Sequence, residues 1–400
     1  MDGVRRLLVS SSRSVPHRVA RALSHHAPAP GASADANEFR HNLCTDEWVV
    51  FSASRRGRPM QHQPMPKAVR ISELPPHDDS CPFCAGNEAL TPEPTMVVGD
   101  DSGWQLRVVP NKFPVVSSAS SLQRHPDSEE TMGESELTSH HFVERVDAVG
   151  FHEVIVETPA HNGALAIANV ESVERLVYAF RERGRAMLAS DPSLRHIMYF
   201  RNSGLKAGAS LLHPHSQIIG LPIVPNEVVR RQRHAREWFL RTKRNVFEHT
   251  LEETLRERDA GGSHRVVLED EHFVCFVPYA ALSPYQLWIV PRDKMAAHFH
   301  ESSDALLTAF AKTLRQALRC LHHGLDEPDY NFVIRSAALE SGRGVLYRSE
   351  YFFRWYCIVV PRLGVGAMGG FEFSTGIQSN SSFPEDDAAF LRATRRGLRR

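Results

Sequence analysis

Apolar and polar positions alternate in short stretches along most of the chain. Trp48–Phe51 is a run of β-formers, and Trp104–Val109 is a second, closed by Pro110. His152–Glu157, centred on Val154 and Val156, reads as a further strand. The period then changes. Val173, Leu176, Val177, Phe180, Met187 and Leu188 recur at helical spacing, with Ser172 as the expected N-cap. Ile197–Arg201 returns to a strand, a Gly/Ser-rich loop follows, and His213–Ile219 is a further strand.

From Val266 the same order comes round again. Phe273–Phe276 echoes Arg107–Pro110, and Gln286–Val290, ended by Pro291, echoes Val154–Pro159. Ser303 opens a second amphipathic helix through Leu306, Leu307, Phe310, Leu314, Leu318 and Leu321, with Gly324 past its end. Tyr330–Arg335 and Trp355–Val360 complete the series as strands. This is a degenerate internal duplication. Between the copies, residues 227–258 read as a charged helical connector. Its arginines are interleaved with acids, which fits a solvated helix face better than an RNA-binding surface.

The first 36 or so residues stand apart. Arg5, Arg6, Arg13, Arg18 and Arg21 alternate with serine and small apolar residues, and Asp2 is the only acid before Asp35. The segment reads as a mitochondrial or plastid transit peptide, or as a disordered tail of a cytoplasmic protein. The expected divisions are residues 1–38 as this tail, 39–225 as a catalytic half, 226–265 as connector, 266–390 as the degenerate half and 391–400 as a basic tail. Over the 400 residues, Lys+Arg and Asp+Glu are both 47, so no basic field invites nucleic acid or a membrane. Six cysteines in a chain of this length do not resemble a secreted disulfide scaffold.

Chemistry concentrates in His213-Pro214-His215-Ser216-Gln217 and in Asn202–Ser210 before it. The two histidines, on either side of Pro214, are read as facing opposite ways, one inward as a ligand and one toward an open site. The glycines and serines upstream suit a backbone that approaches a phosphate. Cys81-Pro82-Phe83-Cys84 follows a proline-rich loop rather than a strand, which favours metal over thiol redox chemistry. Two cysteines cannot close a tetrahedral site, and His161 and His213 are the best further candidates. Arg55 and Arg58, in a basic turn after the first strand, suit bidentate contacts to phosphate.

Together these motifs resemble those of the galactose-1-phosphate uridylyltransferases, in the histidine-triad superfamily. The resemblance runs from about residue 40 to 390. It implies an α+β architecture: a duplicated histidine-triad-like fold with an antiparallel sheet flanked by helices. It implies one structural Zn2+ on Cys81, Cys84, His161 and His213, and substrate contacts from Arg55, Arg58, Asn111, Asn202 and Ser210. Gly370-Phe371-Glu372 and Gln378 keep the family's late spacing, and the resemblance implies that Glu372 and Gln378 reach a partner's site in a homodimer. The family's second metal site is not expected here, because Arg335 and Arg354 fall where its ligands would be and no second CxxC follows Pro225.

The implied reaction is ping-pong nucleotidyl transfer. His215 would attack the α-phosphorus of UDP-glucose, and galactose 1-phosphate would then take the uridylyl group. Gln217, on the same strand face as His215, would hydrogen-bond the phosphoryl oxygen, and Ser210 would assist the departing phosphate. The ring's second nitrogen would be held by a backbone carbonyl near His213. Phe371 and residues 383–390 also resemble plant members that act on ADP-glucose with phosphate. A nucleotidyl hydrolase and a non-catalytic nucleotide-binding protein are the other readings. Gln217, where hydrolases of the superfamily carry histidine, speaks against the former, and the intact His-Pro-His-Ser-Gln against the latter.

Overall fold

Two short strands, β1 (Glu38–Asn42) and β2 (Glu47–Phe51), open the folded chain as an antiparallel hairpin. The computed structural model describes residues 38–51, 69–118, 148–339, 348–363 and 369–398. Arg55, Arg58 and the N-terminal segment read as a transit peptide or tail, up to residue 37, lie outside the described residues.

The first half continues with β3 (Met96–Asp100), β4 (Gly103–Pro110), β5 (Phe151–Val156), helix α1 (Val170–Ser190), β6 (His196–Ser203) and β7 (His215–Leu221). Two helices follow, α2 (Asn226–Thr242) and α3 (Val246–Asp259). The second half is β8 (Val266–Glu269), β9 (Phe273–Phe276), β10 (Leu287–Pro291), α4 (Asp304–Gly324), β11 (Tyr330–Arg335) and β12 (Tyr356–Pro361). A short helix α5 (Gly370–Thr375), strand β13 (Gln378–Asn380) and helix α6 (Pro384–Gly397) close the chain.

The duplication is real in the backbone. Ten strands form one antiparallel sheet in the order β3-β4-β5-β7-β6-β11-β12-β10-β9-β8. Each half read from its own outer edge gives the same order, and the halves join where Tyr199 of β6 faces Ile334 of β11. The duplicated helices α1 and α4 are both 21 residues long. They cover one face, where Leu106, Val108, Ile155, Tyr199 and Ile218 meet Phe180, Phe310 and Leu314 in the main core.

The alternate residues of each strand face the other way. In the second half that face is covered by α2 and α3, through Ala235, Phe247 and Leu251 on Val274, Phe276, Trp288 and Tyr356. In the first half, Val109, Val154 and Val156 on this face meet Cys81, Phe83 and Cys84. His152, Gln217 and His215 share the parity of this face and belong to the same side. No helix among the described residues is long and apolar enough to cross a membrane.

Several local expectations are corrected. The N-cap of α1 is Asn169, in extended conformation, whose side chain accepts from the Ser172 N–H, so Ser172 is its partner rather than the cap. The connector is two helices. Lys243, in the left-handed region at φ 60°, ends α2, and Asn245 caps α3. The segment from 391, read as a basic tail, is the second half of α6. Leu391 is fully buried there, and Arg392 Nη1 donates to the carbonyls of His264 and Val266.

Candidate active site and metal centre

The CxxC segment is a turn held from outside. The Asn87 amide donates to the Cys81 carbonyl at 2.8 Å, and the Arg107 guanidinium donates to the Pro82 carbonyl at 3.0 Å. The turn brings both sulfurs against β4 and β5, where all four candidate ligands are buried. One ligand atom from each of Cys81, Cys84, His161 and His213 lies within 4.8 Å of the others. Cys84 Sγ is 3.5 Å from Nδ1 of His161 and 3.5 Å from Nδ1 of His213. A tetrahedral ion with metal–sulfur bonds of about 2.3 Å and metal–nitrogen bonds of about 2.0–2.1 Å requires edges of about 3.5 Å. Two edges of the cluster match, and the four residues are close enough to hold a metal ion.

The surroundings agree. His213 Nε2 donates to the Thr158 carbonyl at 2.8 Å, which turns the lone pair of Nδ1 toward the sulfur atoms. Burial lowers the His213 imidazole to about 4, so it is neutral, as a ligand must be. Burial also raises the Cys81 thiol, so its thiolate form calls for a cation beside it. The Asp78 N–H donates to Cys84 Sγ at 3.4 Å.

His215 is the first residue of β7 and is buried beneath Phe83, with ring centroids 5.4 Å apart. Its Nδ1–H donates to the His213 carbonyl at 2.8 Å, which leaves Nε2 with the lone pair. Burial lowers its pKa, favouring the neutral ring. The divergence of the two histidines has a different origin from strand alternation, because residues two apart on a strand share a face. His213 lies before β7 begins, and Pro214 separates it from the strand.

Gln217 is held by a residue that the motif reading passed over. His152 Nδ1 accepts the Val115 N–H at 3.1 Å. A neutral ring must then carry its proton on Nε2, and that atom donates to Gln217 Oε1 at 2.8 Å. With its oxygen occupied, Gln217 turns its amide N–H pair outward. Asn111 Oδ1 accepts from Phe113 N–H at 2.9 Å, and its side-chain amide lies beside the His152 ring. The signal for His152 was in the alternation itself, since it shares a face with Val154 and Val156.

Beneath His215, on the opposite face of the sheet, sits a buried ion pair. Arg201 Nε donates to Glu157 at 2.8 Å, Ser216 Oγ donates to the same carboxylate at 2.6 Å, and Arg201 Nη1 donates to the Tyr330 hydroxyl at 2.8 Å. Burial pulls the Arg201 guanidinium down, but Glu157 and Tyr330 more than reverse this and leave it raised. The pair ties β5, β6, β7 and β11 together under the His215 strand. Glu157→Ala leaves a buried guanidinium without its partner and is expected to cost about 3–5 kcal/mol. Urea unfolding monitored by tryptophan fluorescence measures this, and a loss below about 1 kcal/mol would show that water reaches Arg201.

The other candidates fall into separate places. Asn202 Oδ1 accepts from Asn331 Nδ2 at 2.8 Å, and Asn331 Nδ2 also donates to the Ala207 carbonyl at 2.8 Å, so Asn331 of β11 anchors the glycine loop and is steadied by Asn202. Gly204 holds that loop at φ 85°, where a Cβ would lie 1.9 Å from Asp329 Oδ1. Ser210 is exposed on the loop before His213. Gln378 pairs with Val49 in the three-stranded sheet β1-β2-β13, and Glu372 is on α5 just before it. Within one chain, these two are not brought to His215 by any contact among the described residues.

Comparison with known proteins agrees with this geometry. The family model described as "Galactose-1-phosphate uridyl transferase, N-terminal domain" matches residues 31–225. The ADP-glucose phosphorylase of Arabidopsis thaliana is 32% identical over 375 residues, covering 92% of this chain and 97% of that protein. The galactose-1-phosphate uridylyltransferase of Thermotoga maritima is 28% identical over 278 residues, covering 70% of this chain and 73% of that protein. The crystal structure of an ADP-glucose phosphorylase from Arabidopsis thaliana with bound ADP-glucose superposes with a TM-score of 0.70 at 29% identity, over 89% of this chain and 99% of that one.

Proposed function

From the premise that the chain belongs to the galactose-1-phosphate uridyl transferase family, we propose that it moves a nucleotidyl group from a nucleotide sugar to a phosphate acceptor through an adduct on His215. The carrying observation is the hydrogen bond from His215 Nδ1–H to the His213 carbonyl, which leaves Nε2 as a fixed, neutral nucleophile. Nε2 attacks the α-phosphorus, a nitrogen–phosphorus bond forms and the sugar 1-phosphate leaves. The His213 carbonyl accepts the hydrogen bond of the now cationic ring. In the second half-reaction, an acceptor phosphate oxygen attacks the same phosphorus and releases neutral His215. Gln217, oriented by His152, donates its amide hydrogens to the α-phosphoryl oxygen as charge gathers there. Ser210 hydrogen-bonds the departing phosphate, Asn111 contacts the nucleotide, Asn202 steadies the anchor of the glycine loop, and Arg55 and Arg58 grip the sugar-phosphate end.

The metal is proposed to be one Zn2+ on Cys81, Cys84, His161 and His213. Bound there by four protein ligands it supplies structural rigidity rather than a reactive water. His213 thereby holds still the carbonyl that sets the His215 tautomer. Glu372 and Gln378 are proposed to complete the hexose end of a partner's site in a homodimer.

The donor is proposed to be ADP-glucose and the acceptor inorganic phosphate, with ADP and glucose 1-phosphate as products. The match to the Arabidopsis phosphorylase over nearly the full length of both proteins supports this. The family model and the Thermotoga relative favour a second reading, UDP-glucose with galactose 1-phosphate. A panel of both donors against both acceptors separates them. ADP-glucose with phosphate is expected to exceed the other pairs by at least about tenfold in kcat/KM, and the reverse ranking would establish the second reading. His152→Ala is expected to lower kcat by about 10–100-fold, less than the roughly 100–1,000-fold of losing a preorganised donor outright, with metal content unchanged. An unchanged kcat would mean that Gln217 needs no fixed orientation.

A further inference from the structure

The second half of the chain presents cations on the sheet face that carries His215 and Gln217 in the first. Arg335 of β11 lies opposite Tyr356 of β12, and Tyr356 faces the side covered by α2 and α3. Arg231 of α2 reaches the same place, and both arginines line a cavity of about 220 Å³ with His196, Ser336 and Glu227. A smaller adjoining hollow is also lined by both, together with Tyr356.

The polar groups there are not satisfied by protein. Among the described residues, Arg335 makes no hydrogen bond or ion pair, and its Nε is buried without a partner. Arg231 Nη1, His196 Nδ1 and the Tyr356 hydroxyl are likewise buried and unpartnered. Two acids stand near, but Glu227 is engaged by Arg230 at 2.8 Å and by Arg231 at 3.3 Å, and Glu47 by Arg230 at 3.2 Å. Two carboxylates thus serve three guanidiniums. Burial, and Arg231 beside it, both depress the Arg335 pKa. A buried cation without a counter-ion is costly, and several convergent N–H donors of fixed geometry match the oxygens of a tetrahedral anion.

We propose that Arg231 and Arg335 form a second phosphate-group site, in the other half of the sheet from His215, that binds inorganic phosphate or the phosphate end of a sugar phosphate. It does not depend on which reaction the first half carries out.

Equilibrium dialysis of the full-length, metal-loaded protein with [32P]phosphate tests it. Arg335→Met and Arg231→Met are each expected to lose one equivalent of bound phosphate per chain relative to wild type. Arg335→Lys, which keeps the charge without the guanidinium fork, is expected to bind that equivalent at least tenfold more weakly and guards against a misfolded methionine variant. Competition by glucose 1-phosphate identifies a sugar phosphate as a ligand, and its failure identifies free phosphate. Unchanged stoichiometry in Arg335→Met, unchanged affinity in Arg335→Lys, or displacement by chloride at equal ionic strength would each overturn the site.

Discussion

His215→Ala is expected to abolish capture of the nucleotidyl group from a donor labelled in the α-phosphate. Wild-type protein mixed with labelled ADP-glucose should retain an acid-labile adduct, and the variant none. Steady-state transfer should fall by about 10^4-fold or more, because removal of a covalent nucleophile leaves only binding and electrostatics. The geometry makes the prediction specific to one atom. His215 Nδ1 is committed to the His213 carbonyl, so Nε2 alone carries the lone pair. His213 has its Nε2 on the Thr158 carbonyl and its Nδ1 beside Cys84, and cannot substitute. His152 has Nδ1 on the Val115 N–H and its proton on Gln217. Undiminished label in His215→Ala would therefore remove the mechanism, since no other histidine among these has a free ring nitrogen. Metal content should be unchanged in this variant, which separates loss of chemistry from loss of structure.

Much of this arrangement was legible before any coordinates. Strands announce themselves by short runs of β-formers, and Val154, Val156 and Ile218 are buried in β5 and β7. The duplication was legible because each copy keeps one helix of 21 residues between its strands. Strand β3 was missed because Met96–Asp100 is an exposed edge with half-buried apolar residues, so it has weak contrast. Strand β13, three residues long, is a strand only because β2 offers an edge. The metal-ligand cluster was legible where one residue type has few uses, as in the CxxC segment. A side chain's role was not legible where it depends on what lies across the sheet. Glu157 and Arg201 are 44 positions apart and become a pair only when β5, β7 and β6 are aligned. The same is true of His152 and Gln217, separated by 65 positions. A sequence read along one line does not show such cross-strand partners.

Cys84→Ser is expected to empty the metal site and, through it, to disable His215. Cys84 is the hub of the cluster: its sulfur is 3.5 Å from the ligand nitrogens of both histidines, and the residue is wholly buried. Serine is a poor replacement because its hydroxyl stays protonated near neutral pH, whereas the thiol gives up its proton to the metal. Plasma emission analysis should find about one zinc per chain in wild type and none in the variant. Loss of about 3 kcal/mol of metal-linked stability would lower Tm by about 4 °C in a chain of 400 residues. Adduct formation should fall as well, because the proposed ion would hold His213, and the His213 carbonyl sets the tautomer of His215. The order of effects is what distinguishes this from general destabilisation. Glu157→Ala should lose stability while keeping its zinc, and Cys84→Ser should lose zinc, stability and label capture together. A variant that retained one tightly bound zinc would show that Cys81, His161 and His213 suffice. A zinc-free variant that still formed the adduct at the wild-type rate would show that the His213 carbonyl is held by the fold alone, through Pro214 and the Thr158 hydrogen bond.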